Sequence, residues 1–187
     1  TFLKRELTTW KAVASMVNTS TSGAISPKDW LEVKMRWRSG NRRFRSPASS
    51  YMDKMLVSKG ASLPLFPPEA GIPSQFLFWI ETPAYLWQTW MLLSCLFPLP
   101  VGSTIDFRYV YHSFQTMVKR TIFSVRVLPF VKHSNVAYAI FDYLLKLAEA
   151  GVLKRIGKST FVKRKPLFLP RTLKEAVERD KEMQSFF

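Results

Sequence analysis

Residues 144–165 read Leu-Leu-Lys-Leu-Ala-Glu-Ala-Gly-Val-Leu-Lys-Arg-Ile-Gly-Lys-Ser-Thr-Phe-Val-Lys-Arg-Lys, and a change of period inside this stretch decides the fold class. Up to Ala150 the apolar residues keep helical spacing. Ala137, Ile140, Phe141, Leu144, Leu145 and Ala148 predict the buried face of a helix that Ser134 or Asn135 opens. Gly151 supplies the stop. Beyond it, Val152–Ile156 and Thr160–Arg164 read as two β-like runs joined around Gly157 and Lys158 in a tight hairpin.

Upstream, Phe107, Val110, Tyr111, Phe114, Val118, Thr121 and Ile122 repeat at i, i+3, i+4 from Asp106 onward and predict an amphipathic helix. Its outer face carries Arg108, His112, Gln115 and Lys119. The 22 residues from Phe76 to Phe97 hold one charge, Glu81, but Thr82-Pro83 opens a helix there and Pro98 closes it, which leaves about 15 residues, or ~22 Å. A bilayer core needs roughly 30 Å, so the segment is read as a helix buried in protein.

Further back, residues 60–75 hold Pro64, Pro67, Pro68 and Pro73 with Gly60 and Gly71, a density that favours an extended strap. Ser26, Pro27 and Asp29 announce another helix, stopped by Gly40, and Arg42, Arg43, Phe44 and Arg45 follow in a loop. Downstream, Thr172 and Glu175 form a capping box for a last helix. The resulting division is a helical extension with a basic block at 1–59, the strap at 60–75, a helical core at 76–165 and a tail helix at 166–187.

Charge narrows the class of partner. Twenty-eight Lys plus Arg against 13 Asp plus Glu give the 187 residues a net charge of +15, a field suited to polyanions and seldom needed by a metabolic enzyme. The cations fall in two blocks. Residues 151–171 carry seven and no acid, and Arg36, Arg38, Arg42, Arg43 and Arg45 crowd ten residues together with Trp37 and Phe44. Arginine interleaved with aromatic rings suits folded RNA, whose phosphates take the guanidinium forks and whose unstacked bases take the rings.

Chemistry finds less support. One cysteine, Cys95, lies in the most apolar helix and reads as a small buried hydrophobe. His112 and His133 have no Cys or carboxylate at ligand spacing, so no metal or other cofactor is expected. Gly151 and Gly157-Lys158-Ser159 miss the spacing of a phosphate-binding loop by one residue, and they follow a helix where that motif follows a strand. No catalytic group is assigned, no small-molecule substrate is expected and the chain is read as a non-enzyme. Residues 2–17, with Leu3, Leu7, Trp10, Ala14 and Val17 on one stripe and Ser and Thr at 15–22, read as an amphipathic helix that packs on the protein or, in the alternative, as an organellar leader.

The helix, glycine and basic hairpin of residues 105–165 resemble the end of a winged-helix domain, in which a third helix runs into a two-stranded wing. The expected fold is therefore mainly α with a small β-hairpin (α+β), with a helical core, a winged-helix-like C-terminal region and extended basic and proline-rich segments. Tyr138, Ala139 and Asp142 on the outer side of the third helix do not suit groove reading, so the wing carries the expected contacts. The whole chain, with its two basic blocks, proline strap and aromatic helices, resembles in style the lineage-specific ribosomal proteins of kinetoplastid mitochondria.

That resemblance implies a structural, RNA-binding component of a mitochondrial ribosome, placed in the mitochondrial matrix and in contact with rRNA and neighbouring ribosomal proteins. Its expected RNA-binding residues are Arg36, Arg38, Arg42, Arg43, Phe44, Arg45, Lys154, Arg155, Lys158, Lys163, Arg164 and Lys165. The alternatives are a winged-helix nucleic-acid-binding regulator and a subunit of a mitochondrial inner-membrane complex.

Overall fold

The structure, a computed structural model, describes residues 27–39, 46–127 and 135–186. The leader-like segment, the loop holding Arg42, Arg43, Phe44 and Arg45, and His133 lie outside them. The fold is α+β, mainly helical with one small antiparallel sheet.

Six elements in a row make the winged-helix-like unit. They are α3 (Ala84–Met91, continued as a π turn over Leu92–Leu96), β1 (Thr104–Asp106), α4 (Phe107–Lys119), α5 (Val136–Glu149), β2 (Leu153–Arg155) and β3 (Thr160–Lys163). The sheet order is β1-β3-β2, with Ile105 opposite Phe161 and Phe161 opposite Arg155. The hairpin foreseen from the sequence thus gains a third strand, three residues long, too short to show a period of its own.

Local chemistry sets the element ends. Asp106 caps α4 by accepting the Arg108 N–H at 2.8 Å. Gly151, at φ 72°, lets α5 end in a left-handed turn in which the Val152 N–H reaches the Leu147 carbonyl at 2.9 Å and the Gly151 N–H that of Ala148 at 3.0 Å. The chain leaves this turn directly into the wing. The buried face of α5 is turned from the predicted one. Val136, Ala139, Tyr143 and Leu147 are buried beside Ile140 and Leu144, while Ala137, Phe141, Leu145 and Ala148 are half-buried, because the helix is covered on more than one side.

The apolar run 76–97 has the same cause, since every residue from Leu86 to Leu93 is buried. Trp87 meets Phe114 and Tyr143 edge-on, with ring centroids 6.0 and 5.3 Å apart. Rings buried this way contribute about 1.5–3 kcal/mol each. Thr82 does not cap α3. Its hydroxyl accepts the Ser124 N–H at 2.8 Å, and Pro83 takes the cap position. Among the described residues, no helix is long and apolar enough to cross a membrane.

The second layer consists of α1 (Pro27–Ser39), α2 (Pro47–Val57) and α6 (Leu173–Gln184), packed on the strap and on α3. Ser46-Pro47 starts α2, and the Ser46 hydroxyl accepts the Ser49 N–H at 3.1 Å. The strap runs through the core, with Phe66, Ala70 and Ile72 buried and a short 3-10 turn at Leu63–Leu65. Gly71 is required here. Its φ is 76°, and a Cβ would stand 2.8 Å from the Trp37 ring.

Candidate nucleic-acid interface

The wing presents a cluster of exposed cations. Alternation along β2 and β3 turns Leu153 and Phe161 inward, while Lys154, Arg155, Lys158, Arg164 and Lys165 are all exposed. Residues 150–174 contain no Asp or Glu, and none of these five cations forms an ion pair among the described residues. Arg155 also stiffens the hairpin. Its guanidinium donates to the carbonyls of Gly157 and Lys158 at 2.9 and 2.8 Å and lies 5.3 Å over the Phe141 ring of α5.

Two bonds fasten the wing turn to the start of α4. The Ser159 hydroxyl donates to the Asp106 carboxylate at 2.7 Å, and the Phe107 N–H donates to the Ser159 carbonyl at 2.8 Å. Hydrogen bonding holds the Asp106 carboxyl below the usual carboxylate range, the Ser159 hydroxyl contributing most and the Arg108 N–H next. The exposed face of α4 therefore continues from the wing. It presents Arg108, Tyr109, His112, Thr116 and Lys119, and no acid occurs anywhere between Asp106 and Asp142. Periodicity identifies this outer face but by itself assigns it no binding role.

Two of the expected RNA-binding residues are inside the protein. Lys163 points into the core face of β3, where its amine donates to the carbonyls of Leu96 and Leu99 at 2.8 and 2.6 Å, at the end of the π turn that follows α3. Burial lowers its pKa. A cation at the negative end of a helix satisfies carbonyls that have no partner in the helix itself. Arg38, only 3% exposed, belongs to a second buried site.

At that site Arg38 grips both oxygens of Asp180 on α6, at 2.6 and 2.8 Å, and donates to the carbonyls of Pro64 and Phe66. Lys34, one turn earlier, pairs with the same carboxylate at 2.6 Å and donates to the Pro68 carbonyl. Burial pushes the Lys34 amine down to about 8 against the pull of Asp180, and burial likewise raises the carboxyl of Glu69. Trp30 donates to the Gly71 carbonyl at 2.7 Å, Tyr143 to that of Glu69 at 2.9 Å, and Gln88 exchanges two bonds with the backbone of Ile72. These side chains clamp the strap, and the cluster acts as a fastener.

The arginine-aromatic block is therefore divided. Arg36 is exposed, with Glu32 at 3.9 Å. Trp37 is half-buried and already stacked on Tyr85 with centroids 5.0 Å apart, which takes up one face of its ring. Sequence reasoning misses Trp30, Lys34, Arg38 in its buried role, Asp180, Glu69 and Gln88. One signal is available, because Trp30, Lys34 and Arg38 recur every four residues on a single stripe of α1. Cys95 is buried, which pushes its thiol up to about 12.

The model of one protein family, described as competence protein CoiA, C-terminal domain, matches residues 25–177. No match was found among curated proteins or solved structures. The matched span runs from the start of α1 through the wing into the first part of α6, and the chain belongs to the CoiA C-terminal domain family. This overturns the reading as a mitochondrial ribosomal protein, its structural role in a ribosome and its place in the mitochondrial matrix, since the family is one of bacterial competence proteins. The likeness rests on charge and composition, which binders of any polyanion share.

Proposed function

We propose that this member of the CoiA C-terminal domain family is the DNA-binding module of a competence protein, and that it holds the phosphate backbone through its wing and performs no reaction itself. The observation that carries this reading is the acid-free hairpin, with Lys154, Arg155, Lys158, Arg164 and Lys165 exposed and without ion pairs among the described residues. Competence is the capacity to take up DNA, so DNA is the polyanion in question. Lysines and arginines on a short, stiff hairpin act by charge and position and impose no base preference.

Fluorescence anisotropy with labelled DNA of mixed sequence tests this reading. The double variant Lys158→Glu/Arg164→Glu reverses two exposed charges away from the core. It should lose at least about tenfold in affinity while its thermal midpoint stays at the wild-type value. Unchanged affinity, or strong selection of one base sequence by the wild type, would remove the wing from the role given to it.

A further inference from the structure

We propose that the DNA strand this surface prefers is single-stranded, running from the wing along the exposed face of α4 with a base stacked on Tyr109; the proposal rests on the DNA-binding reading above. Two features of the fold argue against a duplex and two argue for a single strand.

A duplex would be read by α5, the helix that precedes the wing. That helix is acidic and partly covered. It holds one basic residue, Lys146, against Asp142 and Glu149, and Lys146 is bound to Glu149 at 2.7 Å. Residues 75–79 lie on its outer side, where the Gln75 N–H donates to Asp142 at 2.6 Å and the Phe76 ring sits 5.6 Å from that of Tyr138. Phe76 holds a left-handed backbone, φ 62°, to make this contact. Phosphates entering along α5 would meet carboxylates and a fixed segment of chain.

The face of α4 is the opposite case. Arg108 and Lys119, with His112 between them, form a stripe free of acid, and Tyr109, 59% exposed, stands at one edge of it. Phe107 and Tyr111, stacked with centroids 5.8 Å apart and half-buried, stand at the other. Phe107 meets Phe141 at 5.2 Å, and Arg155 of the wing lies over Phe141, so rings and cations continue from hairpin to helix. In a duplex the bases already stack on one another, so their faces are closed to a protein ring. Rings at the surface have a partner only when the bases are unpaired.

The test measures anisotropy of the whole chain with an oligothymidylate and with a blunt duplex carrying the same number of phosphates. The wild type should bind the single strand about tenfold tighter than the duplex. Tyr109→Ala should lose roughly tenfold on the single strand and little on the duplex, and Tyr109→Phe should restore the loss, because stacking needs the ring and not the hydroxyl. Equal or tighter duplex binding would overturn the proposal while leaving DNA binding intact, and so would a Tyr109→Ala loss shared equally by both probes. Failure to bind either probe would overturn the DNA-binding reading and this inference together.

Discussion

Lys34 and Arg38 on α1 and Lys158 and Arg164 on the wing are the same residue types put to opposite uses. The first pair is buried around one carboxylate, Asp180, and touches the carbonyls of the strap. The second pair is exposed and meets no acid among the described residues. A cation in a low-dielectric interior is held there by its partners, whereas one on an acid-free hairpin is kept available for a polyanion. Net charge therefore overstates the binding surface, because part of the positive charge works inside the fold.

The comparison breaks most sharply at Asp180. Asp180→Ala strands two buried cations without their carboxylate and should cost about 3–5 kcal/mol, read as a fall in the urea midpoint. The same replacement of an exposed wing cation, Lys158→Ala, should stay within about 0.5 kcal/mol of wild type.

The second contrast is in pH. The folded-state pKa of Lys34 is lowered to about 8 from an ordinary 10.5, so between those values the unfolded chain binds more protons than the folded one, and stability attributable to this group rises with pH. It is lost as pH falls through about 8. Relative to Lys34→Met, which has no proton to exchange, the wild type should gain stability with rising pH across this window. Parallel curves for the two proteins would show that Lys34 is not desolvated.

A smaller effect divides the hairpin itself. Lys158→Arg should change neither stability nor DNA affinity appreciably, because the exposed amine acts as a point charge. Lys163→Arg should destabilise by about 1–3 kcal/mol, since the guanidinium must fit between the Leu96 and Leu99 carbonyls that now share a compact ammonium group. Equal, near-zero effects at both positions would place Lys163 at the surface.

How much of this is legible in the sequence follows from the range of each interaction. The end of α5 and the wing can be read because Gly151 and the alternation around Phe161 are local signals. The start of α1 can be read from Ser26-Pro27, and the identical Ser46-Pro47 signature marks α2, a helix that the division of the chain by composition passes over. The burial of Arg38 cannot be read locally. Its partner lies 142 positions away, and Asp180 looks like one more charge on a polar helix. The class of partner is legible as charge. The biological setting is not, since no short motif carries it and the style of composition points to the wrong assembly.

The central claim, that exposed wing cations and not total charge hold DNA, is tested most directly by the salt dependence of DNA affinity. The wild type is compared with the quadruple variant Lys154→Ala/Lys158→Ala/Arg164→Ala/Lys165→Ala. If the wing neutralises phosphates, the plot of log affinity against log salt for an oligothymidylate should become shallower by about 0.7 for each phosphate that the variant leaves without its cation, or nearly 3 in all. Parallel plots with equal affinity would contradict the account and move the binding surface elsewhere on the chain.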